Sequence, residues 1–140
     1  MASAGAQYGR YNARLVWASE NSTVDIDRRH QGKRFSQMVI HHASRTVYLA
    51  GQTADDPKSD VSEQTRQVLA RIDRLLAEAG THKGNLLSAT VFLPDIADFA
   101  AMNAVWEPWL APGAFPVRAT VQAALASPEW RVEIQAIAAL

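Results

Sequence analysis

Val61, Val68, Leu69, Ile72, Leu75, Leu76 and Ala79 recur at steps of three and four residues, and no other feature of the sequence constrains the fold as much. On a 3.6-residue period these side chains form one apolar stripe, which predicts a helix over residues 61–79. Both ends are marked. Asp60 is placed to cap the N-terminus, Glu63 follows three residues later as its capping-box partner, and Gly80 supplies the stop. A helix with one apolar face has to bury it against a second layer.

The rest of the chain supplies that layer. Residues 35–42 (FSQMVIHH) and 45–50 (RTVYLA) read as strands joined by the turn-prone Ala43-Ser44, and Val24-Asp25-Ile26 as a short strand before them. Residues 51–60 (GQTADDPKSD) carry turn chemistry. Residues 88–93 (SATVFL) form the next strand, closed by Pro94. Asp95 then caps a second helix with apolar positions Ile96, Phe99, Met102, Trp106 and Trp109/Leu110, and Pro108 is expected to end or bend it near Glu107. Two last strands, 117–125 and 131–138, are separated by ASPEW, a loop of hairpin length.

The order β-β-β-α-β-α-β-β predicts an α+β fold, a sheet of about six strands with two helices packed on one face. Two helices cannot cover both faces, so the other face is left for a partner or for further subunits. Residues 24–140 read as one domain, and residues 1–23 as a polar arm before it. A chain of 140 residues is consistent with a single core.

Several function classes are excluded or disfavoured. There is no cysteine, which removes disulfides, thiolate catalysis and cysteine metal sites. Lys plus Arg and Asp plus Glu both total 14, so no net positive charge draws the chain to nucleic acid or an anionic membrane. No apolar run is long enough to span a bilayer, and the N-terminus lacks the apolar core of a secretory signal. A cytoplasmic location is therefore expected. His41 and His42 are neighbours on a strand and point to opposite faces, and no HExxH, GxSxG, Walker A or GxGxxG motif is present. Neither a metal nor a cofactor is expected.

The strand FPVRATVQAAL, residues 115–125, presents Val117, Ala119, Val121 and Ala123 on one face and Arg118, Thr120 and Gln122 on the other. If it forms a hairpin with the last strand, symmetric about residues 125–126, Glu133 lies opposite Arg118 on the same face. On spacing alone that arrangement is an exposed cross-strand ion pair, worth about 0–1 kcal/mol. Asn103 sits beside the apolar stripe of the second helix, and Trp106, Trp109 and Trp130 read as core or interface residues.

The segments YLAGQTADD, ATVFLPDIADFAAMNAVWEPW and FPVRATVQAALASPEWRVEIQAIAA change that weighing. In order and without large gaps, they resemble the three signature blocks of the RidA (YjgF) family, and their details look most like its YoaB-like branch. The resemblance implies a chorismate-mutase-like fold and a homotrimer, in which three sheets form a central barrel with sites in the clefts between subunits. It implies that Arg118 holds the carboxylate of a small 2-imino or 2-enamino acid, and that Glu133 positions or deprotonates the water that hydrolyses it. Guanidinium matches a carboxylate in a two-pronged geometry, so the chemistry suits the residue. Asn103, Gly51 and Thr120 match further site positions; typical members carry cysteine where Thr120 stands. Phe35 occupies the place of a site tyrosine and Ala50 that of a serine, so two hydroxyls are lost. Those losses motivate a second reading, a binding or sensor protein that holds a small carboxylate metabolite without turning it over. Some relatives are described as translation inhibitors or RNA-cleaving proteins; the charge balance and the lack of a paired acid–base histidine set speak against that reading.

Overall fold

The structure, a computed structural model, describes residues 25–140; the expected arm over residues 1–23 and Val24 of the first expected strand lie outside the described residues. Helix α1 runs Val61–Ala79, as its periodicity predicts. The Glu63 amide donates to Asp60 Oδ1 at 2.9 Å. Only half of a capping box forms, because the Glu63 carboxylate instead accepts from Arg66 and Gln67 in the next turn. Gly80 closes the helix at φ 84°, a left-handed conformation that glycine adopts without steric cost.

Six strands form one sheet: β1 Ile26–Gln31, β2 Ser36–His41, β3 Thr46–Leu49, β4 Leu86–Leu93, β5 Val117–Gln122 and β6 Glu133–Ala139. Their spatial order is β1-β2-β3-β6-β4-β5. β1 is longer than the three residues expected, and it pairs with β2 from Ile26–His41 to Gln31–Ser36. Along β2, β3, β4 and β6 the alternate residues Met38, Ile40, Val47, Leu49, Ala89, Val91, Leu93, Ile134, Ala136 and Ala138 are buried. They meet Val68, Leu69, Ile72 and Leu76 of α1 and Met102 and Trp106 of the second helix in one core. Both helices therefore cover one face of the sheet, and the other face is open.

The second helix, α2, runs Phe99–Trp109. Asp95 caps a single 3₁₀ turn, Ile96–Asp98, before it, so Ile96 lies outside the helix and is exposed. Pro108 does not end α2 at Glu107. It sits in the last turn, where its missing N–H removes one bond from a helix already ending, and the Leu110 amide still reaches the Trp106 carbonyl at 3.3 Å.

The largest correction concerns the last two strands. They are not a hairpin. β5 pairs with β4 in parallel, whereas β6 lies between β3 and β4 and is antiparallel to both. The helix between β4 and β5 explains the first pairing: parallel neighbours need a crossover, and α2 provides it. The small residues of β6, Ala136 and Ala138, suit a central place beneath two helices. No helix among the described residues is long and apolar enough to cross a membrane.

Candidate functional site

The register of β5 decides where Arg118 points. Arg118 pairs with Ala89 and Thr120 with Val91, both on the helix-covered face of β4. The polar row of β5 therefore faces the helices, and the apolar row of Val117, Ala119 and Val121 faces outward. Arg118 meets α2, where Phe99, Asn103 and Trp106 are spaced i, i+4 and i+7 along one side of the helix. Its Nη1 donates to Asn103 Oδ1 at 2.8 Å. Its guanidinium carbon stands 5.2 Å from the ring centre of Trp106 and 5.8 Å from that of Phe99.

Arg118 differs from the other arginines that hold fixed partners. Arg29, Arg66, Arg71 and Arg131 each sit within ion-pair distance of a carboxylate. Among the described residues Arg118 has no such partner. Partial burial pushes its guanidinium below its ordinary pKa, and the more distant Glu107 carboxylate pulls it partly back. A guanidinium does not give up its proton in a protein, so a half-buried cation is left without a counter-ion. Thr120, two residues along on the same face, has its hydroxyl shielded from solvent and without a hydrogen-bond partner among the described residues.

Glu133 belongs to a second cluster. It pairs with Phe92 of β4 and alternates with the buried Ile134, which places its side chain on the open face. The expectation that it faces Arg118 is therefore overturned: the two residues lie on opposite faces of the sheet, and β4 runs between their strands. Its neighbour is Gly51. The Gln52 amide donates to the Ile134 carbonyl at 2.9 Å and the Ile134 amide to the Gln52 carbonyl at 3.0 Å, pinning the loop after β3 against the start of β6. Gly51 then lies so close that a Cβ would collide with the Glu133 carboxylate. Burial pushes the Glu133 carboxyl above its ordinary pKa. Phe35, on the β1–β2 hairpin, is 59% exposed.

Within one chain, then, the expected site residues fall into two sets. Arg118, Asn103 and Thr120 stand on the helix side at the β5 edge; Glu133 and Gly51 stand on the open side at the mouth of β3 and β6. The periodicity of α2 marks Phe99 and Trp106 only as stripe and core residues, and Trp106 is 4% exposed. Their spacing relative to Asn103 was the available signal for a shared role at Arg118.

Comparison with known proteins identifies the family and supports the fold. The family described as endoribonuclease L-PSP matches residues 27–140. The chain is 45% identical over 107 residues to the RutC family protein YoaB of Escherichia coli, an alignment covering 76% of this chain and 91% of that one. It is 34% identical over 128 residues to the 2-iminobutanoate/2-iminopropanoate deaminase of Salmonella typhimurium, covering 86% of this chain and 94% of that one. A crystal structure of a YjgF family member from Neisseria meningitidis superposes with a TM-score of 0.79 at 42% identity, covering 83% of this chain and 95% of that one.

Proposed function

The chain belongs to the YjgF/RutC family, that of endoribonuclease L-PSP, and on that premise we propose that it hydrolyses small 2-imino or 2-enamino acids to 2-keto acids and ammonia. The observation that carries the proposal is Arg118: a half-buried guanidinium, aimed by Asn103 and with no carboxylate at ion-pair distance among the described residues. A substrate carboxylate is the missing counter-ion, and a partly desolvated site strengthens that contact.

A site containing both Arg118 and Glu133 needs a second copy of the chain, because one sheet separates them. Val117 is 72% exposed and Val121 40% exposed on the outward row of β5, an apolar surface suited to contact between copies. We assign the working form as a trimer with each site in a cleft between subunits. Arg118, Asn103 and Thr120 come from one copy, and Glu133, Gly51 and Phe35 from its neighbour. The Thr120 hydroxyl reaches substrate only by rotating out of its present shielded position.

The chemistry then needs little from the protein. The imine carbon is already electrophilic. Glu133 takes a proton from water as the oxygen adds to that carbon and delivers it to nitrogen, giving a carbinolamine; it then relays the hydroxyl proton to nitrogen as well, so that the C–N bond breaks, ammonia leaves and the C=O bond forms. A carboxyl whose pKa is raised by burial is a better proton shuttle near neutral pH than an ordinary glutamate.

An amino-acid oxidase generating imino acids in situ, with semicarbazide trapping what remains, tests this. The wild-type chain should speed imine loss, and Arg118→Ala should reduce that effect at least about a hundredfold while the fold persists. Full activity in Arg118→Ala sinks the assignment of the site. No acceleration for any side chain, with keto acids still raising the melting temperature, moves the protein to the non-catalytic binding reading that Phe35 and Ala50 motivate.

A further inference from the structure

We infer that Trp106 is a positioning residue for Arg118, fixed in turn by Trp109 and Asp73, and that this chain of contacts sets how tightly the site holds a carboxylate. The inference rests on the carboxylate reading above and concerns residues outside the set that touches substrate. Its basis is a continuous ladder across α2. The Trp109 indole donates from Nε1 to Asp73 Oδ2 of α1 at 2.9 Å. The Trp109 and Trp106 rings stand 5.3 Å apart at 49°. Arg118 then lies over Trp106 and also over the Phe99 ring.

Each contact removes one freedom from the arginine. Asn103 occupies one Nη1 hydrogen, which fixes the rotation of the guanidinium plane. The rings hold it by cation–π attraction, within the roughly 6 Å range where that attraction operates. Nε and Nη2 have no partner among the described residues, so this edge is left for a two-pronged carboxylate. A long side chain already held in its binding rotamer does not lose that entropy when ligand arrives, so rigidity at Arg118 appears as affinity. Trp106 is buried in the core, and on its Trp109 side it is backed by a ring that Asp73 anchors. A buried tryptophan that merely fills space would leave the guanidinium's orientation to Asn103 alone.

The test uses the full chain and reads Arg118 directly. In ¹H–¹⁵N spectra the Arg118 Nε signal, assigned by its loss in Arg118→Lys, should be displaced by the ring currents of Trp106 and Phe99. Trp106→Leu should return it toward the position of a free arginine, while Trp106→Phe retains most of the displacement. Asp73→Ala, a milder change on α1, should move the signal part-way, and Asp73→Asn, whose amide oxygen still accepts from Trp109, should restore it. Titration with 2-oxobutanoate should show a dissociation constant about 3- to 30-fold higher in Trp106→Leu, the range of a cation–π contact. In Trp106→Phe the rise should stay below about threefold. An unmoved signal and unchanged affinity in a folded Trp106→Leu overturn the inference. If that variant does not fold, an unmoved signal in Asp73→Ala overturns it. Should 2-oxobutanoate leave the wild-type signal untouched, the carboxylate reading fails, and the unliganded spectra still decide the positioning role.

Discussion

β5 and β6 look alike as sequences, each alternating apolar and polar residues, yet they occupy opposite kinds of place. β6 is flanked on both sides, and its apolar row of Ile134, Ala136 and Ala138 is sealed under the helices. β5 is an edge strand with the opposite orientation: its polar row faces α2, and its apolar row faces outward. In β6 the hydrophobic pattern serves the core of the chain itself. In β5 the core-facing side is given to Arg118 and Thr120, and the hydrophobic pattern is left for something outside the chain. A strand whose alternation runs against the core is where function and assembly are to be sought.

The largest expected effect that separates the two strands is on folding. Ile134 is fully buried, and Ile134→Ala should cost about 2–5 kcal/mol in chemical denaturation. Val121→Asp on β5 should change the stability of the isolated fold by less than about 0.5 kcal/mol. A comparable loss in both variants breaks the distinction. The second effect is on assembly. Val121→Asp should shift the sedimentation coefficient toward that of a single chain, because it puts a charge into the surface assigned to subunit contact. Unchanged sedimentation at micromolar concentration excludes that face as the interface.

The smallest effect is a titration. Burial raises the Glu133 pKa, so the folded state favours the protonated carboxyl. The associated stability is complete below the ordinary glutamate value and is lost as pH rises through the raised one. On the proposed mechanism turnover has the opposite sign, since Glu133 must be ionised to act as the base. The acidic limb of kcat/KM should therefore lie above the ordinary glutamate value, and Glu133→Gln should remove that limb together with most of the rate. An acidic limb that persists in Glu133→Gln assigns it to another group.

Much of this was legible beforehand, and unevenly so. α1 with its cap and stop, β2, β3 and β4 followed from periodicity and local turn chemistry, which act over a few residues and need no partner. The block containing Arg118 and Glu133 pointed to the right family. Strand pairing was another matter. A loop of hairpin length suggested that β5 turns back onto β6, and nothing local argued otherwise. The actual choice depends on β6 burying its small residues between β3 and β4, a long-range gain that no short stretch displays.

The sequence alone determined α1, β2, β3 and β4, the helix-covered layer and the presence of an arginine and a glutamate set in alternating strands, because each rests on local spacing. Only the tertiary structure decided that these two residues stand on opposite faces and that Arg118 is held by Asn103, Phe99 and Trp106. Side-chain direction along a strand has a period of two, so its face is set by the neighbour it pairs with, and that neighbour is chosen by the packing of the whole sheet.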